Sequence, residues 1–314
     1  MKYKQKWTIC KVAVILITSI QLSSCGAGIR LVKTTHLKTV PSASSLEFYN
    51  NQLYIIGDDA TKVFITDVDH NLVDSIPLFP SEYYRIDKAE KADLESSFIM
   101  NESSKPMLVA YSSFSTTKRN KIVGIDLLTK KTSINNAEIS SPLLAEMNIE
   151  GAAIIGSNLM LSNRANTTHR DNHFIVADTA GFFQGNKKNG LKIIKIALPP
   201  SSSVVGISGL AYNKEKDLLL FTASTEDTPN AYTDGAIGES YIGFIDRFST
   251  KLSQQGIKAD RFFKLSKYIR NKEPQKIESV AIQQLKGKHM IVHLAADNDN
   301  GQSTIIKMNV RVRD

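Results

Sequence analysis

Apolar and polar positions alternate along most of this chain. Short runs rich in Val, Ile, Leu and Phe are cut at intervals by Asn, Asp, Gly, Ser and Lys. Stretches such as KVFITDV, LVDSIPL, KIVGIDL, NHFIVAD, LKIIKIAL, SYIGFID, DRFFKLS and STIIKMNV carry the two-residue period of strands. Helical periodicity is nearly missing, and the stretch from Phe262 to Arg270 predicts at most a short loop helix.

The strands recur in a repeated phrase. A strand opens on Glu or Ser followed by a small residue, turns tightly, and returns as an apolar strand with a polar end. Its five copies begin at Ser44, Glu95, Glu150, Ser208 and Glu278. A period of roughly 40 to 70 residues of short strands indicates a radial array. Sorting the strands gives four per unit, as in Ser44 to Tyr49, Gln52 to Gly57, Lys62 to Asp67 and Leu72 to Leu78. The expected fold is therefore an all-β propeller of four-stranded antiparallel blades, five in number, with six as the alternative if a degenerate blade hides between Ser208 and Glu278. The fifth unit has only three strands before the chain ends, and the strand Arg30 to Leu37 is available to complete it. Such a closure leaves no unpaired terminal edge.

The segment ahead of the repeats changes the setting. Lys2, Lys4, Lys6 and Lys11 precede an apolar stretch, Val12 to Ile20, too short to span a bilayer, and Leu22-Ser23-Ser24-Cys25 follows. This predicts a bacterial lipoprotein signal peptide over 1–24, a tether over 25–29 whose Cys25 thiol carries a diacylglyceryl lipid (palmitate-type acyl chains), and one domain over 30–314. The protein is then expected in the bacterial cell envelope, anchored to a membrane and facing the periplasm or the surface. Removing the leader leaves 35 Lys and Arg against 31 Asp and Glu, and no Arg-rich helix or aromatic-interleaved basic stripe, so nucleic acid is not an expected partner. A monomer is expected. The two cysteines are Cys10 and Cys25, which excludes a thiol nucleophile, Cys-ligated zinc and a disulfide in the body.

The repeat also predicts a site. In a propeller the first strand of each blade lines the central channel, and its beginning lies beside the end of its hairpin partner. A two-residue turn at Gly156-Ser157 sets Glu150 opposite Asn163; the same counting sets Glu95 near Ser112, and Ser44 near Gly57, Asp58 and Asp59. Three glutamates and two serines are thus expected around one mouth. With Asp58, Asp59, Asn163 and Asp297, the glutamates offer hard oxygen ligands suited to Ca²⁺. Held close, they also suit general acid and base work; alternatively they bond backbone amides or Arg164 and tie the blades together. Arg164 itself fits a phosphate or carboxylate of a ligand, or an internal salt bridge. The loop Ser224 to Gly235, with Glu226, Asp227 and Tyr232, leaves a second strand at the same mouth and serves as a binding loop or as a cap. A phosphate loop, HExxH, a nucleophile elbow and a dinucleotide fingerprint are all lacking.

Taken together, SASSLEF with LYIIGDD, LFPSEYYRIDKAEKADLESS, MNIEGAAIIGSNLMLSNRAN and STEDTPNAYTDGAIGES resemble a bacterial family of β-propellers without an established activity, distantly similar to phytase-like and gluconolactonase-like propellers. The resemblance spans about Leu31 to Met308 and implies the fold and an exported setting. Two functions follow as expectations: a propeller that binds a small molecule, glycan or protein at its mouth, or a Ca²⁺-dependent hydrolase of a phosphate or lactone ester.

Overall fold

The structure is a computed structural model. It describes residues 28–313 apart from 103–104, 138, 140–141, 180–190, 232, 234 and 270–274. Twenty-one strands form five sheets arranged as a five-bladed propeller. Blade 1 holds β2 (Ala43–Tyr49), β3 (Gln52–Gly57), β4 (Lys62–Asp67) and β5 (Leu72–Pro77). Blade 2 holds β6 (Leu94–Glu102), β7 (Lys105–Ser112), β8 (Lys121–Asp126) and β9 (Thr132–Asn136). Blade 3 holds β10 (Ile149–Ile155), β11 (Asn158–Asn163), β12 (Asn172–Asp178) and β13 (Lys192–Ala197). Blade 4 holds β14 (Val205–Asn213), β15 (Leu218–Glu226), β16 (Ile237–Asp246) and β18 (Arg261–Lys264). Blade 5 holds β19 (Lys276–Lys286), β20 (His289–Asp297), β21 (Ser303–Arg311) and, from the other end of the chain, β1 (Ile29–Leu37).

The seam forms as the strand count requires, with β1 pairing antiparallel to β21 from Ile29 against Val310 to Leu37 against Ser303. The long interval after Ser208 holds no sixth blade. Its short strand β17 (Gly256–Lys258) instead pairs parallel to β13 and covers the outer edge of blade 3. The stretch from Phe262 is the body of β18 followed by one 3-10 turn, Leu265–Lys267, because Phe262 and Phe263 face opposite sides of the blade.

Five apolar clusters hold the ring together, one between each pair of neighbouring blades. The two-residue strand period explains why second strands such as LLLF are apolar without interruption. Leu218 and Leu220 pack toward blade 5, while Leu219 and Phe221 pack toward blade 3. Near the channel the blades come so close that side chains are excluded. A Cβ on Gly209 would lie 2.7 Å from Ser279 Cα and 2.9 Å from the Glu278 carbonyl oxygen, both backbone atoms of blade 5. Gly209→Ala is therefore expected to lower the unfolding free energy by about 1–3 kcal/mol in a denaturant melt; an unchanged midpoint would refute the contact.

Candidate functional site

The five positions singled out by the repeat share one backbone device. In every first strand the register slips by one residue at that position: between Ala43 and Ser45, Leu94 and Ser96, Ile149 and Gly151, Ile207 and Gly209, and Ile277 and Ser279. Ser44, Glu95, Glu150, Ser208 and Glu278 are thus five equivalent bulge residues. Each lacks a cross-strand partner, which corrects the expected pairing: Ile149, not Glu150, stands opposite Asn163. An extra residue in one strand re-aims its side chain. The serines and the glutamates nevertheless diverge. Ser44 Oγ donates to the Leu94 carbonyl at 2.5 Å, and Ser208 Oγ to the Ile277 carbonyl at 2.6 Å, each tying its blade to the next. Both are buried, and of the expected ring of three carboxylates and two hydroxyls only Glu95 and Glu150 line the cavity at the mouth.

Glu150 and Glu278 converge on Arg164, the first residue after β11. Arg164 Nη1 lies 3.3 Å from Glu150 Oε2 and 3.5 Å from Glu278 Oε2, and its Nη2 donates to Glu226 Oε2 at 3.1 Å and to Ser224 Oγ at 2.8 Å. Lys276 Nζ adds contacts to Glu278 at 3.1 Å and Glu226 at 3.5 Å. Gly206 makes room for the arginine stem, since a Cβ there would stand 2.4 Å from Arg164 Cγ. Both terminal nitrogens are committed, and the Arg164 side chain is only 4% exposed. It serves as an internal counter-ion, the alternative expected for it, and it also lines the cavity at the mouth.

A second charged group lies across the channel. Lys91 Nζ bonds Asp58 Oδ2 and lies 2.8 Å from Asp93 Oδ1, and Arg119 Nη1 donates to Asp93 Oδ2 at 2.9 Å. Asp93 adopts φ +57°, a left-handed conformation that Asp tolerates better than most residues. Burial pushes Asp58 up to about 6 despite Lys91, and its Oδ1 is buried without a hydrogen bond. Asp59 is drawn aside, its Oδ2 accepting from Arg85 Nε at 2.6 Å.

Glu95 lies between the two groups. No hydrogen bond or ion pair among the described residues reaches its carboxylate; Lys91 acts on it only through space. Burial, with Asp93, Glu150 and Asp58 adding their charge, holds its carboxyl well above the usual range. Burial likewise pushes Glu150 up to about 7 against the pull of Arg164, and Asp297 to about 7 with Asp58 adding to it. Glu95 and Glu150, with Asp58, Asp93 and Glu226 but not Asp297, surround a cavity of about 70 Å³ at the channel mouth, with Asn148, Asn166 and the loop residues Thr228, Asn230 and Thr233 on its rim. Carboxylate oxygens of Asp58, Asp93 and Glu95 lie within 4.8 Å of one another, a spacing that one cation could share. For Ca²⁺ the fit requires Lys91 to swing off Asp58 and Asp93, whose oxygens it now holds.

The remaining expected residues are placed elsewhere. Asn163 is buried in the scaffold, accepting from the Asn148 amide at 2.6 Å and donating to the Glu146 carbonyl at 3.1 Å. Asp227 is exposed outside the cavity lining, whereas Glu226 lines it. Cys25 with its leader, and Tyr232, lie outside the described residues. Unforeseen members are Asp93, Asn148 and Lys276, each two residues before a ring glutamate, and Lys91 and Arg119. The signal was present: Asp93-Leu94-Glu95, Asn148-Ile149-Glu150 and Lys276-Ile277-Glu278 extend the repeat upstream across one apolar residue.

A family model described as a family of unknown function, DUF6929, matches residues 39–310. No curated protein matches the sequence. Among solved structures, the tail fiber of Staphylococcus aureus phage P68 is similar with a TM-score of 0.50 at 11% identity, over 90% of this chain and 52% of that one. Arabinanase Arb43A of Bacillus subtilis follows at 0.49 and 11%, over 87% and 95%. Glutaminyl cyclase of Myxococcus xanthus stands at 0.45 and 9%, over 90% and 97%. The tail-fiber likeness is one of fold alone, and none of the three lends this chain an activity.

Proposed function

We propose, for a chain that belongs to the DUF6929 family of unknown function, that it is a lipid-anchored propeller of the bacterial cell envelope whose channel mouth binds a small positively charged group. That group is a divalent cation such as Ca²⁺ or the ammonium of a larger ligand. The observation that carries this reading is Glu95. Every other carboxylate lining the cavity has a cationic partner, whereas Glu95 is desolvated without one and so either holds a proton or awaits a cation. Cavity size supports the same reading. About 70 Å³ admits an ion with its waters or one amine head, well below the roughly 300–1,000 Å³ of pockets that enclose whole ligands. A phytate-sized substrate does not enter it. Any larger ligand would lie across the rim, where the loop carrying Lys88 and Lys91 also lines a groove of about 730 Å³ with Tyr83 and Tyr84.

Calorimetric titration with Ca²⁺ and, separately, with putrescine tests the reading. One of the two is expected to bind, with Ca²⁺ in the range of about 10⁻⁴–10⁻³ M typical of extracellular sites. At a hundredfold excess over Kd the bound form gains about 2.7 kcal/mol, visible as a raised Tm. Glu95→Gln is expected to abolish the binding and, without ligand at pH 8, to raise the Tm of the protein itself. Absence of binding by both probes, together with a Glu95→Gln melt identical to wild type, would overturn the proposal.

A second reading rests on Glu150. A carboxyl near 7 beside the unpaired Glu95 supplies an acid and a base at working pH, which hydrolysis of a lactone or phosphate ester uses. Turnover of chromogenic esters lost in Glu150→Gln would favour it over binding alone.

A further inference from the structure

The strand directions separate the two ends of the propeller. β19 and β14 start at the acidic mouth, so the β19–β20 turn at Gly287-Lys288, the end of β21 and the start of β1 all lie at the opposite end. Gly28 packs there on Arg311, whose amide donates to the Gly28 carbonyl. Cys25 is three residues earlier in the sequence, and a chain of three residues reaches at most about 11 Å. The described chain thus begins, at Gly28, on the face opposite the mouth, three residues along the sequence from the proposed lipid site.

That face carries a cavity of about 390 Å³ at the closing seam, between blades 4 and 5. Among the described residues its charged lining is basic: Arg261, Lys288, Arg311 and Arg313, with Phe244 and Phe263 among the apolar walls. Arg261 is the built element. Its guanidinium lies 4.4 Å over the Phe244 ring, and its Nη2 donates to Asp246 Oδ1 at 2.8 Å. The side chain is 8% exposed, yet its Nε is buried with no hydrogen-bond acceptor. A desolvated donor beside the exposed Arg311 and Arg313 calls for an anion, and Arg in particular suits a phosphate. Apolar walls under a basic rim, next to a lipid tether, match the anionic headgroup zone of a bilayer.

We propose that this basic seam seats the phosphates of an anionic membrane, so that the tethered propeller stands with its acidic mouth directed away from the bilayer. The lipid on Cys25 holds the chain at the membrane, and the basic patch fixes which face of the propeller meets it. The proposal rests on the lipid-anchor reading only for its place in the cell. Residues 26–314 contain all five blades and the closing strand, so this folding unit can be tested without a lipid.

The unit is expected to co-sediment with phosphatidylcholine vesicles that contain phosphatidylglycerol and not with phosphatidylcholine alone, and to dissociate as salt rises. Each Lys or Arg at such a surface contributes roughly fivefold in binding, so K288Q/R311Q/R313Q is expected to bind on the order of 100-fold more weakly. Should that triple variant fail to fold, Arg313→Gln, in an exposed terminal position, is expected to show its roughly fivefold share alone. Equal binding to both vesicles, no vesicle binding, or undiminished binding by the variants overturns the proposal. Saturable binding of inorganic phosphate without vesicle binding also overturns it, in favour of a soluble phosphate ligand. Labelled palmitate incorporation at Cys25 tests the anchor separately, so the two readings fail independently.

Discussion

Arg164→Ala is expected to lower the unfolding free energy by about 3–5 kcal/mol, the usual cost of removing one partner from a buried ion network. Three carboxylates, Glu150, Glu226 and Glu278, would be left around an empty space with only Lys276 to offset them. Urea denaturation of the purified variant measures this. The charge origin of the loss can be separated from lost packing by pH. At pH 5 the Glu150 carboxyl, pushed up to about 7 by burial, carries a proton and the deficit shrinks, whereas a packing deficit is the same at pH 5 and pH 8. Arg164→Lys is expected to rescue little, because a single ammonium cannot span the Glu150, Glu226 and Glu278 positions together with Ser224. A deficit below about 1 kcal/mol, in the range of surface pairs, would refute the buried network.

Stability is expected to fall as pH rises from 6 to 8, and to fall less steeply in Glu150→Gln. Glu150 and Asp297 sit near 7 in the folded protein against a usual value near 4, and Glu95 is raised as well. The folded state therefore binds more protons than the unfolded chain over this window, and by linkage its stability decreases through it. Two buried histidines act in the opposite direction. His70 and His293 form a chain at the closing seam, from Thr35 through His70 and His293 to Gln283, with links of 2.9, 2.9 and 2.8 Å. Burial, with Lys33 and Lys307, lowers His70 to about 4; burial, with His70 and Lys307, lowers His293 to about 3. Their share of stability is lost as pH falls from 6.5 toward those values. Because the histidines are common to both proteins, the difference between wild type and Glu150→Gln isolates the carboxyl. Wild type is expected to lose about 1.4 kcal/mol more between pH 6 and 8, the linkage value for one group titrating at 7. Parallel pH profiles of the two proteins would show that Glu150 is ionised throughout.

The blades were legible because strand period and turn chemistry are local. Gln52–Gly57 and Lys62–Asp67 have the bounds that alternation assigns them, and the seam followed from counting three strands in the last unit. The registers of the first strands were misjudged by one residue. A bulge leaves no mark in composition: Ile149-Glu150-Gly151 reads as plain alternation until a partner strand shows the slip. The repeated position of blade 1 is Ser44, the bulge residue, and not the nearby acid Glu47. Glu47 points further down the channel, where Ser97 donates to it at 3.2 Å and burial raises it.

By itself, the sequence determined that this protein is a five-unit array of four-stranded blades, and that three glutamates start its first strands at one end. Both are set by neighbours along the chain. Only the tertiary structure decided which charges meet. Arg164 reaches Glu226 and Glu278 from 62 and 114 positions away in the chain, and Lys91 reaches Asp58 across the connection between blades 1 and 2. Pairing follows distance in a low-dielectric interior, where each buried charge takes the nearest counter-charge that closure supplies. What closure does not supply among the described residues is a partner for Glu95, and the binding proposed for the channel mouth rests on that.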